Sequence, residues 1–543
     1  MEGQSTFAST LLDDIEKNPA ATGSTGKKRS GNLYRAEVDT VAHGSGLDPI
    51  YASKVHVLNE ALMDIGMGRY QWLLFLATSM GWFLDQFWIM AFTIIAPSTA
   101  NENQLFYPNN KFGYLFISLF VGLAAGAAVW PVLADRIGRK AVFTSTVVLM
   151  GMGGLVGAGM SEFTGLCVVG AVVGFAISGN QAISVMILVE SIPASHQWLV
   201  SLQGVFWGLG QLVASLIGWA FIEGWTCGTV GGKIGSATCH YVSNKGWRYA
   251  WWTFGCVTLF FHLCRLLFSF YETPKFLLAQ RRDAEATQVI KEIASSNKTS
   301  TWLSESHFAR IDSTMGAEVA AYKEKGIGFA SYSSVGSLRS ITSSLGFPGI
   351  TSLLLLWITT GLSFTLYQTY IPNYIGAQGD FDVVSATSVS TNSLFSYYAE
   401  VATFMIPGPI IATLLIELKS LGRQRTGAIL AFLTGLIMLV STQARTNTAY
   451  VVFECVLAVL QYASQAVLIT YTVEILDTPA RGLGLGITGF VWRAFGLVAE
   501  IVATYVGEDV GQAPAVWFCG ALWVLMSAVW FGLPRDTRGA AVA

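Results

Sequence analysis

Charge is scarce in this chain. Asp, Glu, Lys and Arg supply only 12% of its 543 residues, about half the share that is usual in a soluble globular protein. Hydrophobic residues supply 52%, so the composition indicates a membrane protein. The formal net charge is −2 and no strongly basic block is present, which argues against a nucleic-acid partner.

Sequence patterns that bind metal ions or phosphate groups are also lacking. The seven cysteines and six histidines show no spacing typical of a metal site. No glycine-rich stretch has the Gly-Lys-Ser/Thr ending of a phosphate-binding loop, which argues against an ATP-driven pump. We therefore expect no metal, no cofactor and no enzymatic activity.

Twelve apolar runs are each long enough to cross a bilayer as an α-helix. A first set of six covers about residues 71–97, 113–134, 141–160, 163–189, 199–222 and 250–270, and a second set covers about 350–371, 394–418, 426–442, 449–471, 483–506 and 516–533. We predict an all-α polytopic membrane protein with two six-helix bundles, at residues 69–271 and 347–533.

Polar segments flank and separate these bundles. Residues 272–346 are predicted to form a cytoplasmic middle loop, and residues 534–543 a cytoplasmic tail. Residues 1–68 have too little apolar surface to offset the entropy of ordering, so we expect a disordered cytoplasmic tail.

Cations in the loops set the orientation. The short loop between the second and third runs contains Asp135, Arg136, Arg139 and Lys140, and cytoplasmic loops carry an excess of Lys and Arg. The middle loop and residues 419–425 are basic on the same side, whereas the opposite loops hold few cations. Both termini are therefore predicted to be cytoplasmic.

The two halves repeat in sequence. Gly138-Arg139 recurs as Gly422-Arg423, and Glu190 recurs as Glu474, both at an offset of 284 residues. A six-helix unit repeated in the same orientation places a solute site between the halves, near the middle of the bilayer.

Several motifs carry a family resemblance. Residues 133–140, LADRIGRK, match the signature between the second and third helices of the major facilitator superfamily, which this chain resembles. The segments 246–248 (GWR), 271–278 (YETPKFLL) and 474–482 (EILDTPARG) are similar to its branch of sugar porters, organic-ion transporters and synaptic-vesicle proteins. Residues 206–215 look like fungal members of that branch.

The resemblance implies two bundles that rock about a central site, and a gate at the inner face. Glu190 would join Arg139, and Glu474 would join Arg423, in networks that break when the transporter opens inward. Plain surface ion pairs are the alternative. The gating residues predicted in this way are Asp135, Arg136, Arg139, Lys140, Glu190, Arg423, Glu474 and Arg481.

Two of the charged residues within the apolar runs are assigned roles. Asp85 is about halfway along the first run, where an ionised carboxylate costs about 2.5 to 3.5 kcal/mol. We assign Asp85 to proton coupling, with a helix-packing role as the alternative. Arg493 in the eleventh run needs a hydrogen-bond acceptor. Three acceptors are open: Asp85, a backbone carbonyl and an anionic substrate. We place it in the substrate site, with a structural tie between helices as the alternative.

Other polar side chains within the runs outline a cavity. Amides and phenols bind hydroxyls or carboxylates without a permanent charge, although they also tie transmembrane helices together. Besides Arg493, the predicted substrate-binding residues are Asn180, Gln181, Gln211, Tyr367, Gln368, Asn373, Gln461 and Gln465.

One polar loop on the predicted outer face contains two of the cysteines. Cys227 and Cys239 lie where disulfides persist. The sequence leaves two possibilities: a disulfide between them, or two free thiols.

These features predict a secondary active transporter of a sugar, a polyol or an organic acid, driven by proton symport. Proton-antiport export and a membrane sensor without transport are the alternatives. The expected partners are the solute, protons and the lipid bilayer, and the protein is expected to be a monomer. We expect the plasma membrane as its location, with the vacuolar membrane second.

Overall fold

The computed structural model describes residues 49–100, 102, 113–226, 239, 241–268, 270–324, 334–377, 391–444, 446–476, 478–506 and 512–534. All regular secondary structure within these ranges is helical. The all-α prediction is confirmed.

The N-terminal half begins with α1 (Pro49–Ile65), which precedes the first span. The first four spans are α2 (Arg69–Ala100), α3 (Gly113–Ile137), α4 (Arg139–Gly157) and α5 (Phe163–Ser191). A 3₁₀ turn (Ala194–His196), α6 (Leu199–Leu202) and α7 (Val205–Trp225) form the fifth, and α8 (Gly246–Leu266) is the sixth.

Three helices follow in the middle segment: α9 (Pro274–Ala279), α10 (Asp283–Ser296) and α11 (Glu305–Glu324). The C-terminal half contains α12 (Ser334–Ala377), α13 (Thr391–Met405), α14 (Pro407–Glu417), α15 (Gly422–Ser441), α16 (Asn447–Ile475), α17 (Thr478–Val506) and α18 (Gln512–Val529). Helix α12 is kinked at Gly346, whose φ of +66° is accessible to glycine without steric cost.

Eleven helices within the described ranges are long and apolar enough to cross a membrane. The predicted sixth span, α8, lies outside that group; it has 21 residues and carries Arg248 and Arg265 near its ends. With α8, the helices make the predicted twelve-helix architecture of two six-helix halves.

The halves meet along two seams. In the first, α3 and α17 pack antiparallel: the hydroxyls of Tyr114 and Tyr505 lie 3.1 Å apart at one end, and Gly482 lies against the Asp135 carboxylate at the other. In the second, α7 packs on α13 at Gly208, where a Cβ would lie 3.0 Å from the Ala402 carbonyl oxygen. Small residues allow such close helix contact.

At the predicted inner face, one cluster of buried side chains crosses from one half to the other. Leu188 and Leu199 of the N-terminal half belong to the same cluster as Leu468 and Leu476 of the C-terminal half. The conformation is therefore closed on the inner side.

Helix α1 corrects the prediction of a disordered tail for residues 49–65. Leu58 and Leu62 are fully buried in a cluster that includes Ile290 of α10 and Phe308 of α11. Lys54 Nζ lies 2.5 Å from Asp283 and 2.8 Å from Asp312. The apolar residues of this segment recur at helical spacing, but their partners lie more than 200 residues away. Residues 1–48 are outside the described ranges.

Candidate functional site

Asp85 and Arg493 form an ion pair that joins the two halves. Arg493 Nη2 lies 3.0 Å from Asp85 Oδ1, and the two side chains are 5% and 0% exposed. Asp85 comes from α2 and Arg493 from α17. Removal of one partner from a buried pair leaves an uncompensated charge and costs about 3 to 5 kcal/mol, so each residue depends on the other half of the protein.

Two further contacts hold the Arg493 guanidinium. Its Nη2 donates to Gln181 Oε1 of α5 at 3.0 Å, and its central carbon lies 3.9 Å from the ring centroid of Trp492. The Trp492 ring in turn lies 5.4 Å from that of Trp357. The N-terminal half thus directs two acceptors at one cation of the C-terminal half.

Several buried polar atoms of the pair and of the spans that face the other half lack a hydrogen-bond partner in the described part of the chain. Asp85 Oδ2 and the amide oxygen of Asn180 are acceptors of this kind. The donors are Trp82 Nε1 and the Nε2 atoms of Gln181, Gln461 and Gln465, whereas the Trp207 side chain hydrogen-bonds the Asp85 carboxylate. Because buried polar groups are nearly always paired, such a group of atoms indicates a place for a ligand or for water.

Aromatic rings line the same region. The Trp82 and Trp207 ring centroids lie 4.5 Å apart, and that of Tyr462 lies 5.7 Å from Trp207. Phe364 lies at 5.7 Å from the other side of Tyr462. Two indoles of the N-terminal half therefore pack against a phenol and a phenyl ring of the C-terminal half.

The predicted substrate-binding residues fall into different places. Gln181 and Arg493 bond to each other, and exposed Gln368 donates to buried Gln461 at 3.5 Å. Asn180 donates to the Gly81 carbonyl oxygen at 3.4 Å, so one side of its amide ties α5 to α2. Gln465 is buried, Gln211 is half-buried, and the Asn373 side chain lies outside the described part of the structure.

Tyr367 has a partner that the sequence did not indicate. Its hydroxyl donates to Glu454 Oε1 of α16 at 2.5 Å, and the tyrosine is completely buried. Its hydroxyl is therefore committed to another side chain in this conformation and does not face a solute.

The inner face of the N-terminal half holds a buried charge network. Arg139 Nη2 lies 3.1 Å from Asp135 Oδ1 and 3.4 Å from Glu190 Oε1, and the Thr273 hydroxyl donates to Glu190 Oε2 at 2.6 Å. Arg481 of the C-terminal half reaches the same Glu190 oxygen at 3.6 Å. Glu190 thus binds cations from both halves.

The described contacts of the repeated network lie within the C-terminal half. Arg423 binds both carboxylate oxygens of Glu474 at 3.0 Å and reaches Glu417 at 3.1 Å. Arg136 and Lys140 are exposed, and no ion pair in the described ranges includes either side chain. The structure therefore brings six of the eight predicted gating residues into contacts.

The segment after α8 fixes this network in place. Glu272 accepts hydrogen bonds from the backbone N–H groups of Arg139 and Lys140 at 3.0 and 3.2 Å, although burial raises its pKa above the ordinary value. Burial lowers the pKa of nearby Lys275 to about 7; Arg481 acts in the same direction, and Glu190 opposes it.

Three buried carboxylates were missed by sequence reasoning. Glu102 accepts two hydrogen bonds from Arg248, at 2.7 and 2.8 Å, and so ties the outer ends of α2 and α8 together. Glu500 accepts from the Thr369 hydroxyl at 3.0 Å, and Glu454 accepts from Tyr367. Each glutamate lies in or beside an apolar run, the signal that led to the assignments of Asp85 and Arg493.

The predicted outer loop contains a disulfide-bonded cysteine. Cys239 is disulfide-bonded and buried, but its predicted partner Cys227 lies outside the described residues, so the pair remains a prediction. No group of three or more His, Cys, Asp or Glu side chains that could hold a metal ion occurs in the described ranges.

Two six-helix halves around a buried charged centre are the architecture of a membrane transporter. A family model described as Major Facilitator Superfamily matches residues 71–499, and the chain belongs to that superfamily. It is a multi-pass membrane transporter of small-molecule solutes and not an enzyme.

Relatives cover nearly the whole chain. A protein named MFS siderochrome iron transporter 1, from Ceriporiopsis subvermispora, is 32% identical over 97% of this chain and 100% of its own length. A niacin transporter from Acinetobacter baylyi is 26% identical over 83% of this chain and 90% of its own. The solved structure of a proton:xylose symporter matches with a TM-score of 0.66 at 16% identity, over 87% of this chain and 98% of that one, and this likeness concerns the fold alone.

Proposed function

We propose that this transporter is a proton symporter of small organic carboxylates, with the Asp85–Arg493 pair as its coupling element. The observation that carries the proposal is the position of this pair. It is buried, it joins the two halves, and two polar atoms on its residues and their bonded neighbour, Asp85 Oδ2 and Gln181 Nε2, have no hydrogen-bond partner among the described residues.

The coupling step follows from charge balance. When Asp85 is ionised, it neutralises Arg493 and leaves no cation for a solute. A proton delivered to Asp85 removes that negative charge, and the guanidinium is then free to bind a carboxylate through two charge-assisted hydrogen bonds. Substrate and proton therefore bind together, which is the requirement for symport.

The donor-rich lining supports a carboxylate over the other predicted solutes. Trp82 and Trp207 contribute indole N–H groups, which only donate, and the free amide atoms of Gln181, Gln461 and Gln465 are donors as well. A sugar or polyol would need donors and acceptors in similar number, and an organic cation would need acceptors. The aromatic walls suit a flat ring attached to the carboxylate.

Two relatives bear on the choice of solute. One is named a niacin transporter, and niacin is an aromatic carboxylate. Another is named a siderochrome iron transporter, so a ferric siderochrome is the principal competitor to be tested.

The inner gate completes the cycle that we propose. Glu190 contacts Arg481 across the halves at 3.6 Å, and these contacts must separate before the solute leaves toward the cytoplasm. Arg139 keeps a second contact with Glu190 within one half, so the carboxylate stays paired when the gate opens.

Uptake by purified protein in proteoliposomes tests the proposal. Under an inward proton gradient we expect accumulation of labelled nicotinate, and at least tenfold less uptake of nicotinamide, which has the same ring and no carboxylate. Arg493→Gln should abolish the preference, whereas Lys140→Gln, at an exposed cation, should leave it intact. Uptake of xylose or a ferric siderochrome, without nicotinate, would contradict the assignment.

The same proposal extends to assembly and location. Because both seams and the charged centre lie within one chain, we propose that the monomer is the working unit, in the plasma membrane. Mass determination in nanodiscs and a fluorescent fusion that marks the cell surface check these points. A stable dimer, or fluorescence at the vacuolar membrane, would contradict them.

A further inference from the structure

Glu454 is a buried carboxyl group in the outer half of α16, away from the Asp85–Arg493 pair. It is 3% exposed, and no ion pair among the described residues includes it. A charged carboxylate within the membrane needs a cation, water or several hydrogen-bond donors. Only the last of these is present in its described contacts.

Two phenols supply those donors, and a third extends the cluster. Tyr367 of α12 donates to Glu454 Oε1 at 2.5 Å, and Tyr450, one turn earlier on α16, places its hydroxyl against the same carboxyl. The hydroxyl of Tyr397 on α13 lies 3.4 Å from that of Tyr450. The other groups that face this cluster are Cys455, Ser441 of α15, which contacts Tyr367, and Glu400, which faces Cys455.

A phenol can both donate and accept a hydrogen bond. The ionised carboxylate can therefore accept hydrogen bonds from the phenols, and the protonated carboxyl can donate one to a phenol oxygen after the hydroxyls rotate. Both protonation states of Glu454 thus find partners without a change of fold. Glu500, by comparison, has one hydroxyl donor, from Thr369.

The cluster is connected to the proposed solute site through α12. Tyr367 is followed directly by Gln368, whose amide donates to Gln461, and Gln461 is two turns from Glu454 on the same face of α16. A solute that moves Gln368 or Gln461 also moves the hydroxyl that binds Glu454.

We infer that Glu454 is a second proton-binding site, which gains and loses one proton in each transport cycle. The inference rests on the proposed symport. It predicts that two protons, one at Asp85 and one at Glu454, accompany each carboxylate, so that one net positive charge enters with each monovalent solute.

Charge transfer measured together with uptake tests the stoichiometry. For wild-type proteoliposomes supplied with nicotinate we expect an inward current of about one charge per solute. Glu454→Gln should retain uptake and lose the current, because one proton then balances one carboxylate. Glu223→Gln, at an exposed carboxylate, should keep the wild-type current. An unchanged current per solute in Glu454→Gln would overturn the inference.

Infrared difference spectroscopy tests Glu454 without any transport. A protonated-carboxyl band that grows as the pH falls should be present in wild type and absent in Glu454→Gln. It should shift in Tyr367→Phe, which removes the hydrogen bond but keeps the acid. If no carboxyl band is lost in Glu454→Gln, the inference fails even where transport succeeds. If the band behaves as expected and nicotinate is not transported, the proposed function fails and proton binding at Glu454 stands.

Discussion

At the scale of single residues, Arg493 depends on acceptors that its own half does not provide. Asp85 and Gln181 come from α2 and α5, whereas Arg493 belongs to α17. The sequence indicated that both charges needed partners, but it left three acceptors open for Arg493. The choice depends on how each helix is rotated about its axis, and a single sequence does not contain that information.

The pair itself can be tested by stability. Arg493→Gln leaves Asp85 buried and unpaired, so we expect a loss of about 3 to 5 kcal/mol in the free energy of unfolding if the carboxylate stays ionised. The double variant Asp85→Asn/Arg493→Gln should be more stable than Arg493→Gln, because neither charge remains. Thermal unfolding of the three variants and wild type in detergent measures this coupling. Additive losses would show that the two residues do not interact.

Lys275 gives the inner gate a dependence on pH. Its pKa is lowered to about 7 in the closed structure, mainly by burial, whereas an exposed lysine has its ordinary value near 10.5. Between these values the exposed lysine binds more protons than the buried one, so a rise in pH favours the closed gate. Below about pH 7 both are protonated and the penalty for burial is complete.

We therefore expect the inner-closed population to increase between about pH 7 and about pH 10.5. The distance between spin labels at Ile137 and Leu418, which are exposed and lie on opposite halves, measures this opening. Lys275→Met should make the distance distribution insensitive to pH, and Lys140→Met, at an exposed lysine, should not. A wild-type distribution that opens as the pH rises would contradict the expected sign.

At the scale of helices, the two copies of the charge network differ. Glu190 contacts cations from both halves, whereas the described contacts of Glu474 are with Arg423 of its own half. The offset of 284 residues predicted two equivalent networks, and it could not distinguish them. The contact between the halves comes from Arg481, which has no counterpart in the repeated motif.

Removal of that contact should open the gate. Arg481→Gln should broaden the Ile137–Leu418 distance distribution toward longer distances. Arg423→Gln, at a residue whose described contacts lie within one half, should have a smaller effect on that distribution. Measurements are best made with Cys264 replaced, because its thiol is exposed. Equal effects of the two variants would contradict the assignment of Arg481 to the contact between halves.

Helix α1 extends the folded protein beyond its membrane part. Leu58 is fully buried against the middle helices, whereas the His56 side chain is 68% exposed. Leu58→Ala should destabilise this assembly by about 2 to 5 kcal/mol and accelerate amide exchange in α10 and α11. His56→Ala should leave the exchange unchanged. Slow exchange in both variants would mean that α1 does not stabilise the middle segment.

At the scale of the whole molecule, the apolar runs were enough to predict twelve helices and two repeated halves. Each run is about as long as a bilayer is thick, and this physical limit does not depend on the details of packing. The contacts of α1 with α10 and α11 and the pair of Tyr367 with Glu454 depend on packing between distant segments. These were not predictable from patterns within single runs.

In the proposed cycle Arg493 exchanges Asp85 for the solute carboxylate. The number of protons that accompany solute binding tests this exchange most directly. Calorimetry of nicotinate binding in buffers with different ionisation enthalpies gives the number of protons taken up. We expect wild type to take up protons when nicotinate binds, and to bind nicotinate more tightly as the pH falls. Asp85→Asn should take up about one proton fewer. Equal proton uptake by wild type and Asp85→Asn would show that Asp85 does not couple the proton to the solute.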